Sequence, residues 1–281
     1  MQITGLFIYP IKSARGITLP QARIEAMGLA GDRRMMLVDP SGHFITQREL
    51  PDLARLTAIP GAAYLTLRLD DGREVMVAPP HPEHRMDVAI WKSIVSAAVA
   101  DDSVNAKLSA WFGREMKLVF IDGDSRRMAS AEWAGENSPM AFADGYQILV
   151  TTTGSLRALN EDMEKHGEGS VGMERFRPNI VLDCDEPWAE DTWTGLEIAG
   201  IRFDFAKPCP RCIMTTQDQQ TGSRQGANPM PAMGRIRMSA DRRVAGPLFG
   251  WNTVPRGEGL VSVGDAVTVL GMRDGWAIKQ R

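Results

Sequence analysis

The run Cys209-Pro210-Arg211-Cys212 carries the most reactive side chains of the chain. A Cys-x-x-Cys spacing admits several chemistries. Half of a tetrahedral zinc site would use both sulfurs, but such a site takes four ligands. Only Cys184 is left over, and His43, His81, His84 and His166 lack the usual spacing. A thioredoxin-like redox pair wants a βαβ surrounding that the flanking residues do not provide. Free cysteines also pack simply as small apolar residues. A single thiolate ligand to a soft metal is the remaining reading, favoured by the neighbouring Arg211 cation. Spacing alone leaves these open.

Three further segments offer anion chemistry. Tyr9-Pro10-Ile11-Lys12-Ser13 reads as an exposed turn or as a cradle, with the ammonium as point charge and the hydroxyl as donor. Asp32-Arg33 opens a β-prone run and reads most simply as a surface ion pair, worth about 0–1 kcal/mol. In Arg175-Phe176-Arg177-Pro178-Asn179, an extended backbone would put Arg175, Arg177 and Asn179 on one face. Guanidinium forks suit phosphate, and a solvated strand edge is the alternative. No glycine-rich phosphate loop, G-x-S-x-G elbow or HExxH helix is present.

The elements that must position these groups are mostly strands. β-prone runs cover residues 3–9 and 33–38. Residues 64–69 and Glu74–Val77 alternate around Asp70-Asp71-Gly72-Arg73 as a hairpin. Residues 196–206 form a second hairpin turning at Ala199-Gly200, and 260–270 a third around Gly264-Asp265. Two helices are expected. Asp102–Phe112 carries Val104, Leu108, Trp111 and Phe112 on one face, with Asp102 as cap and Gly113 following. Residues 155–165 carry Leu156, Leu159 and Met163, with Gly167 at the end.

The pattern predicts a mostly β, α+β chain, with the best domain break in the polar stretch 122–130. Its 281 residues suit one large or two modest domains, and 43% hydrophobic residues suffice for a real core. A net charge of −3 lacks the basic footprint of a nucleic-acid binder. An anionic ligand must therefore be held by local cations. Three cysteines argue against a disulfide framework. The N-terminus lacks a signal-peptide pattern and no apolar run is long enough to span a membrane. These features predict a cytoplasmic protein without a membrane or nucleic-acid partner.

In order and spacing, the segments YPIKS (9–13), AMGLAGDRR (26–34), ITQRE (45–49), FADGY (142–146), SLRALN (155–160), RFRPNIVL (175–182), AEDTW (189–193), CPRCIMTT (209–216), PLFG (247–250) and VGD (263–265) resemble the MOSC family. The similarity is to the subgroup holding the mitochondrial amidoxime-reducing component and its bacterial relatives. It reaches both ends of the chain and is loose between about 60 and 140. The resemblance implies a MOSC-type β-barrel over 123–281 and an N-terminal β-rich region over 1–122, whose first strands join the barrel.

It also implies a molybdenum cofactor, with the metal held by one pyranopterin dithiolene and by Cys212. Lys12, Ser13, Arg33, Tyr146, Arg177, Asn179, Pro210, Arg211 and Asn252 fall on cofactor-binding positions, and Asp144 on a catalytic aspartate beside the metal. Two places depart. Gly145 and Tyr146 stand where the amidoxime-reducing proteins carry hydroxyl residues, and Asn252 where they carry a Tyr. The implied activity is reduction of N-hydroxylated small molecules, with N- or S-oxides as a neighbouring class. The alternative is a cofactor carrier or sulfur-transfer protein using a Cys212 persulfide. A [2Fe–2S] cluster usually needs four cysteines, so with three the chain is expected to hold none and to take electrons from a separate ferredoxin- or flavin-type protein.

Overall fold

The computed structural model describes residues 1–61 and 64–279. Period-2 apolar patterns dictate many of its strands. Ala22 and Ile24 of Gln21–Glu25 point inward, as do Val75 and Val77 of Glu74–Val77. The strand Leu248–Pro255 is buried at every position, as expected of a strand covered on both faces.

Among the described residues the largest sheet has eight strands. Its order is Val267–Met272, Trp193–Ile198, Ile201–Pro210, Leu248–Pro255, Ile148–Thr152, Ile180–Leu182, Ile3–Ile8 and Ile17–Leu19. It curls around Ile3, Leu6, Leu196, Phe203 and Trp251. Neighbours run antiparallel except Ile148–Thr152 and Ile180–Leu182, which are parallel. A parallel pair needs a crossover, and the helix Thr153–Lys165 lies in it. Thr152 caps that helix through the Ser155 amide.

A four-stranded sheet, ordered Met35–Val38, Lys117–Phe120, Ser93–Val99 and Arg85–Ile90, builds the N-terminal region. The helix Asp102–Phe112 packs there through Val104 and Leu108. Its cap is Asp101 rather than Asp102, and Gly113 ends it in the left-handed conformation. The Leu65–Arg68 and Glu74–Val77 hairpin is present, and so is the turn at Ala199-Gly200, where both residues have positive φ.

The expected hairpin at 260–270 does not form. A turn at Gly264-Asp265 is there, but Gly259–Ser262 pairs with Gln21–Glu25 and Val267–Met272 pairs with Trp193–Ile198. Alternation shows that two segments are strands, not that they are partners. The strands Ile3–Ile8 and Ile17–Leu19 lie in the same sheet as residues from 148 onward.

Phe203 is fully buried in the core that carries this sheet. Phe203→Ala should lower the unfolding free energy by about 3–5 kcal/mol in urea titration. A loss below about 1 kcal/mol would mean that the sheet does not depend on this core.

Candidate functional site

One cleft is lined by Lys12, Ser13, Arg33, Asp144, Tyr146, Arg177, Asn179, Pro210, Arg211, Cys212 and Asn252, every position that the family resemblance assigns to the site. Many of them flank strand ends, while Asn252 lies within Leu248–Pro255. Lys12 and Ser13 follow Ile3–Ile8, Arg177 and Asn179 precede Ile180–Leu182, and Cys212 follows Ile201–Pro210. The cleft therefore gathers at an end of the large sheet, with the N-terminal region beside it.

The backbone is unusual at these positions. Ser13, Arg33 and Arg177 all have positive φ, at 63°, 48° and 53°. Non-glycine residues rarely adopt this region, and such outliers gather at functional sites. Two sequence-based expectations are corrected here. Arg33 does not start a strand, which begins at Met35. Arg175, Arg177 and Asn179 are not extended either, since Arg175 lies in a 3-10 turn and Arg177 is left-handed. All three still reach the cleft.

Asp32 and Arg33 do not form a surface pair. Asp32 is buried, accepts the Tyr9 amide at 2.8 Å and holds Arg33 Nη1 at 2.7 Å. Arg33 also donates to Asn179 Oδ1 at 3.2 Å. Asn179 in turn accepts the Leu149 amide at 3.1 Å and donates to the Phe7 carbonyl at 3.1 Å. Its side chain thus ties two strands together, leaving one amide hydrogen for any ligand.

Arg33 and Arg177 lie over the Tyr9 ring at 4.3 and 4.1 Å. Burial pushes the Tyr9 phenol up to about 12, against the pull of these cations. Burial, and then repulsion from Arg33, pushes Arg177 down to about 10. Arg177 donates to Gln219 at 2.9 Å, but its buried Nη2 has no partner. Among the described residues Arg175 donates to the Thr215 and Ala227 carbonyls. Arg211 donates to the Phe176 carbonyl at 2.6 Å, and its Nε is likewise unpartnered. No carboxylate pairs with Arg175, Arg177 or Arg211 among the described residues.

Cys212 is exposed at the start of a short 3-10 turn, Ile213–Thr216. The neighbouring Arg211 turns its Nη1 to Cys209, donating to Sγ at 2.9 Å. Cys209 lies in the strand Ile201–Pro210 and is partly buried. The two cysteines are both free thiols in unlike surroundings. Among the described residues, no group of three or more His, Cys, Asp and Glu side chains is placed to hold a metal.

Lys12 is buried and contacts Asp144, whose side chain stands open at the cleft mouth. Lys12 also donates to the Phe142 carbonyl at 3.1 Å. Crowding around Asp144 opposes its ionisation, but the Lys12 ammonium outweighs this and holds the carboxyl well below its usual range. Burial lowers the pKa of Lys12, with Asp144 acting against it.

Tyr146 and Asn252 line the same cleft. Burial raises the pKa of the Tyr146 hydroxyl to about 12. A Cβ on Gly145 would sit 2.9 Å from Asn252 Oδ1, so the two departures from the amidoxime-reducing pattern fit together sterically.

Sequence reasoning missed Arg127 and Trp91. Arg127 lies in the stretch taken as a domain break, yet it is buried and donates to the Ala143 carbonyl at 2.7 Å beneath the Asp144 loop. Trp91 Nε1 donates to Asp144 Oδ1 at 2.9 Å from a hairpin turn of the N-terminal region. The lone positive φ of each left-handed residue carried no signal in sequence.

The MOSC N-terminal beta barrel domain profile matches residues 1–115 and the MOSC domain profile matches residues 137–268. The mitochondrial amidoxime reducing component 2 of Rattus norvegicus is 30% identical, over 94% of this chain and 82% of that protein. Human mitochondrial amidoxime reducing component 2 is 28% identical over 94% and 82%, and human component 1 is 28% identical over 96% and 83%.

The unpaired guanidinium of Arg177 suits an anion at a cost to the ligand-free fold. In Arg177→Met the unfolding free energy without ligand should stay within about 1 kcal/mol of wild type or rise, since one hydrogen bond is lost while a desolvated charge is removed. The rise in melting temperature that inorganic pyrophosphate gives the wild type, against chloride of equal ionic strength, should shrink. A variant that unfolds readily yet keeps the pyrophosphate effect would make Arg177 a structural residue.

Proposed function

The chain belongs to the MOSC family, and on that premise we propose that it is a molybdenum-cofactor-dependent oxidoreductase that reduces N-hydroxylated small molecules, with Cys212 as the protein ligand of the metal. The observation that carries this reading is the cluster of unpaired cations. Arg175, Arg177 and Arg211 converge on one cleft, and two of their buried nitrogens lack an acceptor. Buried charge without a partner is costly and is relieved by a bound anion. The phosphate of a pyranopterin is such an anion, in a protein whose net charge is otherwise −3.

The donor set fits the rest of that cofactor. A metal that arrives already bound by pterin sulfurs needs one soft protein ligand rather than a cluster. Cys212 offers an open thiol in the cleft. Arg177, Arg211 and Ser13 would hold the phosphate and pterin, with Lys12, Pro210, Tyr146 and Asn252 completing the walls. Arg33 and Asn179 act mainly by fixing the backbone around the cleft.

When bound, the group supplies two electrons at the metal. The N–O bond of the substrate breaks, two protons are taken up, and water leaves beside the amine or amidine product. The protein's part is to position and to move protons. Asp144, held ionised by Lys12, accepts hydrogen bonds rather than donating them. Of the pair only the Lys12 ammonium, its pKa lowered by burial, carries a proton to give, and Asp144 serves beside it as the ionised acceptor that orients a substrate N–H.

Electrons come from a separate ferredoxin- or flavin-type protein, and a reducing, cytoplasmic setting accords with three free thiols. We place the domain boundary at 122/123, between the two profile matches. Carriage of the cofactor, or sulfur transfer through a Cys212 persulfide, would use the same thiol and is separated from this reading by turnover.

Cys212→Ala should abolish both molybdenum retention and reduction of an N-hydroxylated compound with reduced methyl viologen as donor. Cys209→Ala loses only a thiol that receives Arg211 and should keep a measurable fraction of both. Equal loss in the two variants would favour a paired-cysteine chemistry. Normal activity in Cys212→Ala would remove the metal-ligand assignment, and bound molybdenum without turnover in the wild type would favour the carrier.

A further inference from the structure

Beside Asp144 the N-terminal region raises an aromatic wall. Trp91 sits in the two-residue turn between Arg85–Ile90 and Ser93–Val99 and has φ of 54°. A bulky residue is a genuine outlier there, since glycine or asparagine normally fills such a turn. Trp91 is also 51% exposed, in a chain where Trp193 and Trp251 are buried.

Its surroundings are ordered. The indole Nε1 donates to Asp144 Oδ1 at 2.9 Å. Phe44 lies tilted against it, with ring centroids 5.2 Å apart, and the Arg48 guanidinium stands 5.0 Å from its ring. Phe44 in turn lies 5.4 Å from Lys12 Nζ. The wall is thus joined to the Lys12–Asp144 pair on its inner side, and half of the indole stays open to solvent.

Asp144 adds a direction to this wall. Its Oδ1 accepts both Lys12 and Trp91, whereas Oδ2 has no protein donor among the described residues. A flat group lying against the indole would have an ionised, free acceptor at its edge. A planar π system stacks on indole, and an N–H-rich head such as an amidoxime or amidine supplies donors to a carboxylate.

We propose that Trp91, backed by Phe44 and Arg48, is the wall of a substrate subsite that favours aryl N-hydroxylated amidines over small aliphatic ones, with Asp144 Oδ2 taking the N–H of the head group. This rests on the function proposed above and adds to it a substrate class and a role for the N-terminal region. Trp91 is a specificity-determining residue, and the strained turn is what sets it against Asp144 at the rim of the cleft.

The test uses two substrates and one unreactive ligand on the holoprotein. In Trp91→Ala, the kcat/KM for benzamidoxime relative to that for acetamidoxime should fall about three- to tenfold, mostly through KM, the range of one aromatic pair. Trp91→Phe keeps a ring and should recover most of that ratio. Benzamidine binding by calorimetry should weaken to a similar degree in Trp91→Ala. Equal losses for both amidoximes would overturn the subsite and leave Trp91 as a support for Asp144. A wild type that prefers neither amidoxime and does not bind benzamidine would overturn it too. A chain without molybdenum or turnover would refute the proposed function instead, and benzamidine binding would still decide the subsite.

Discussion

The carboxylate of Asp32 receives the Tyr9 amide and the Arg33 guanidinium together, and so ties the end of the first strand to the turn before Met35–Val38. Arg33 then reaches Asn179, whose amide bridges Phe7 and Leu149. Four segments distant in sequence are thereby held at one end of the sheet. With the pair buried, loss of Asp32 would leave an uncompensated cation in a low-dielectric setting, which typically costs about 3–5 kcal/mol. The cleft depends on this network because Ser13, Arg177 and Arg33 hang from the segments it joins.

Left-handed backbone at Ser13, Arg33 and Arg177 is strained for residues with a Cβ, by about 1–2 kcal/mol each. The network over-determines these conformations and keeps them. Arg33 and Arg177 are turned onto the two-cation environment of Tyr9 as a result. One cation is neutralised by Asp32, and the other lines the cleft with a buried nitrogen that has no acceptor. This asymmetry divides the two cations: Arg33 is spent on holding the wall, and Arg177 lines the cleft without a carboxylate.

The same division runs through two further pairs. Cys209 belongs to a strand and receives Arg211, while Cys212 is exposed in the following turn. Lys12 is enclosed and Asp144 is open, so the ion pair has an inner, proton-bearing end and an outer, accepting end. Trp91 attaches to that outer end from the N-terminal region. Both parts of the chain therefore meet at one carboxylate.

The residue types of the cleft and most of its strands were legible in sequence. Alternation marks strands such as Glu74–Val77, and glycine after a helical pattern marks the end of Asp102–Phe112, because both are local consequences of backbone geometry. Partners were legible only where a tight turn joins them, as at Ala199-Gly200; elsewhere alternation does not say which strand lies alongside, and Gly259–Ser262 and Val267–Met272 part company. Burial was not legible: Asp32-Arg33 and Arg127 look like solvated charge until distant segments close over them. The sequence by itself determined that cations, a hydroxyl, a carboxylate and a thiol were available. Tertiary structure alone decided which charges are neutralised and which face the cleft, because neutralisation depends on distances between residues far apart in the chain.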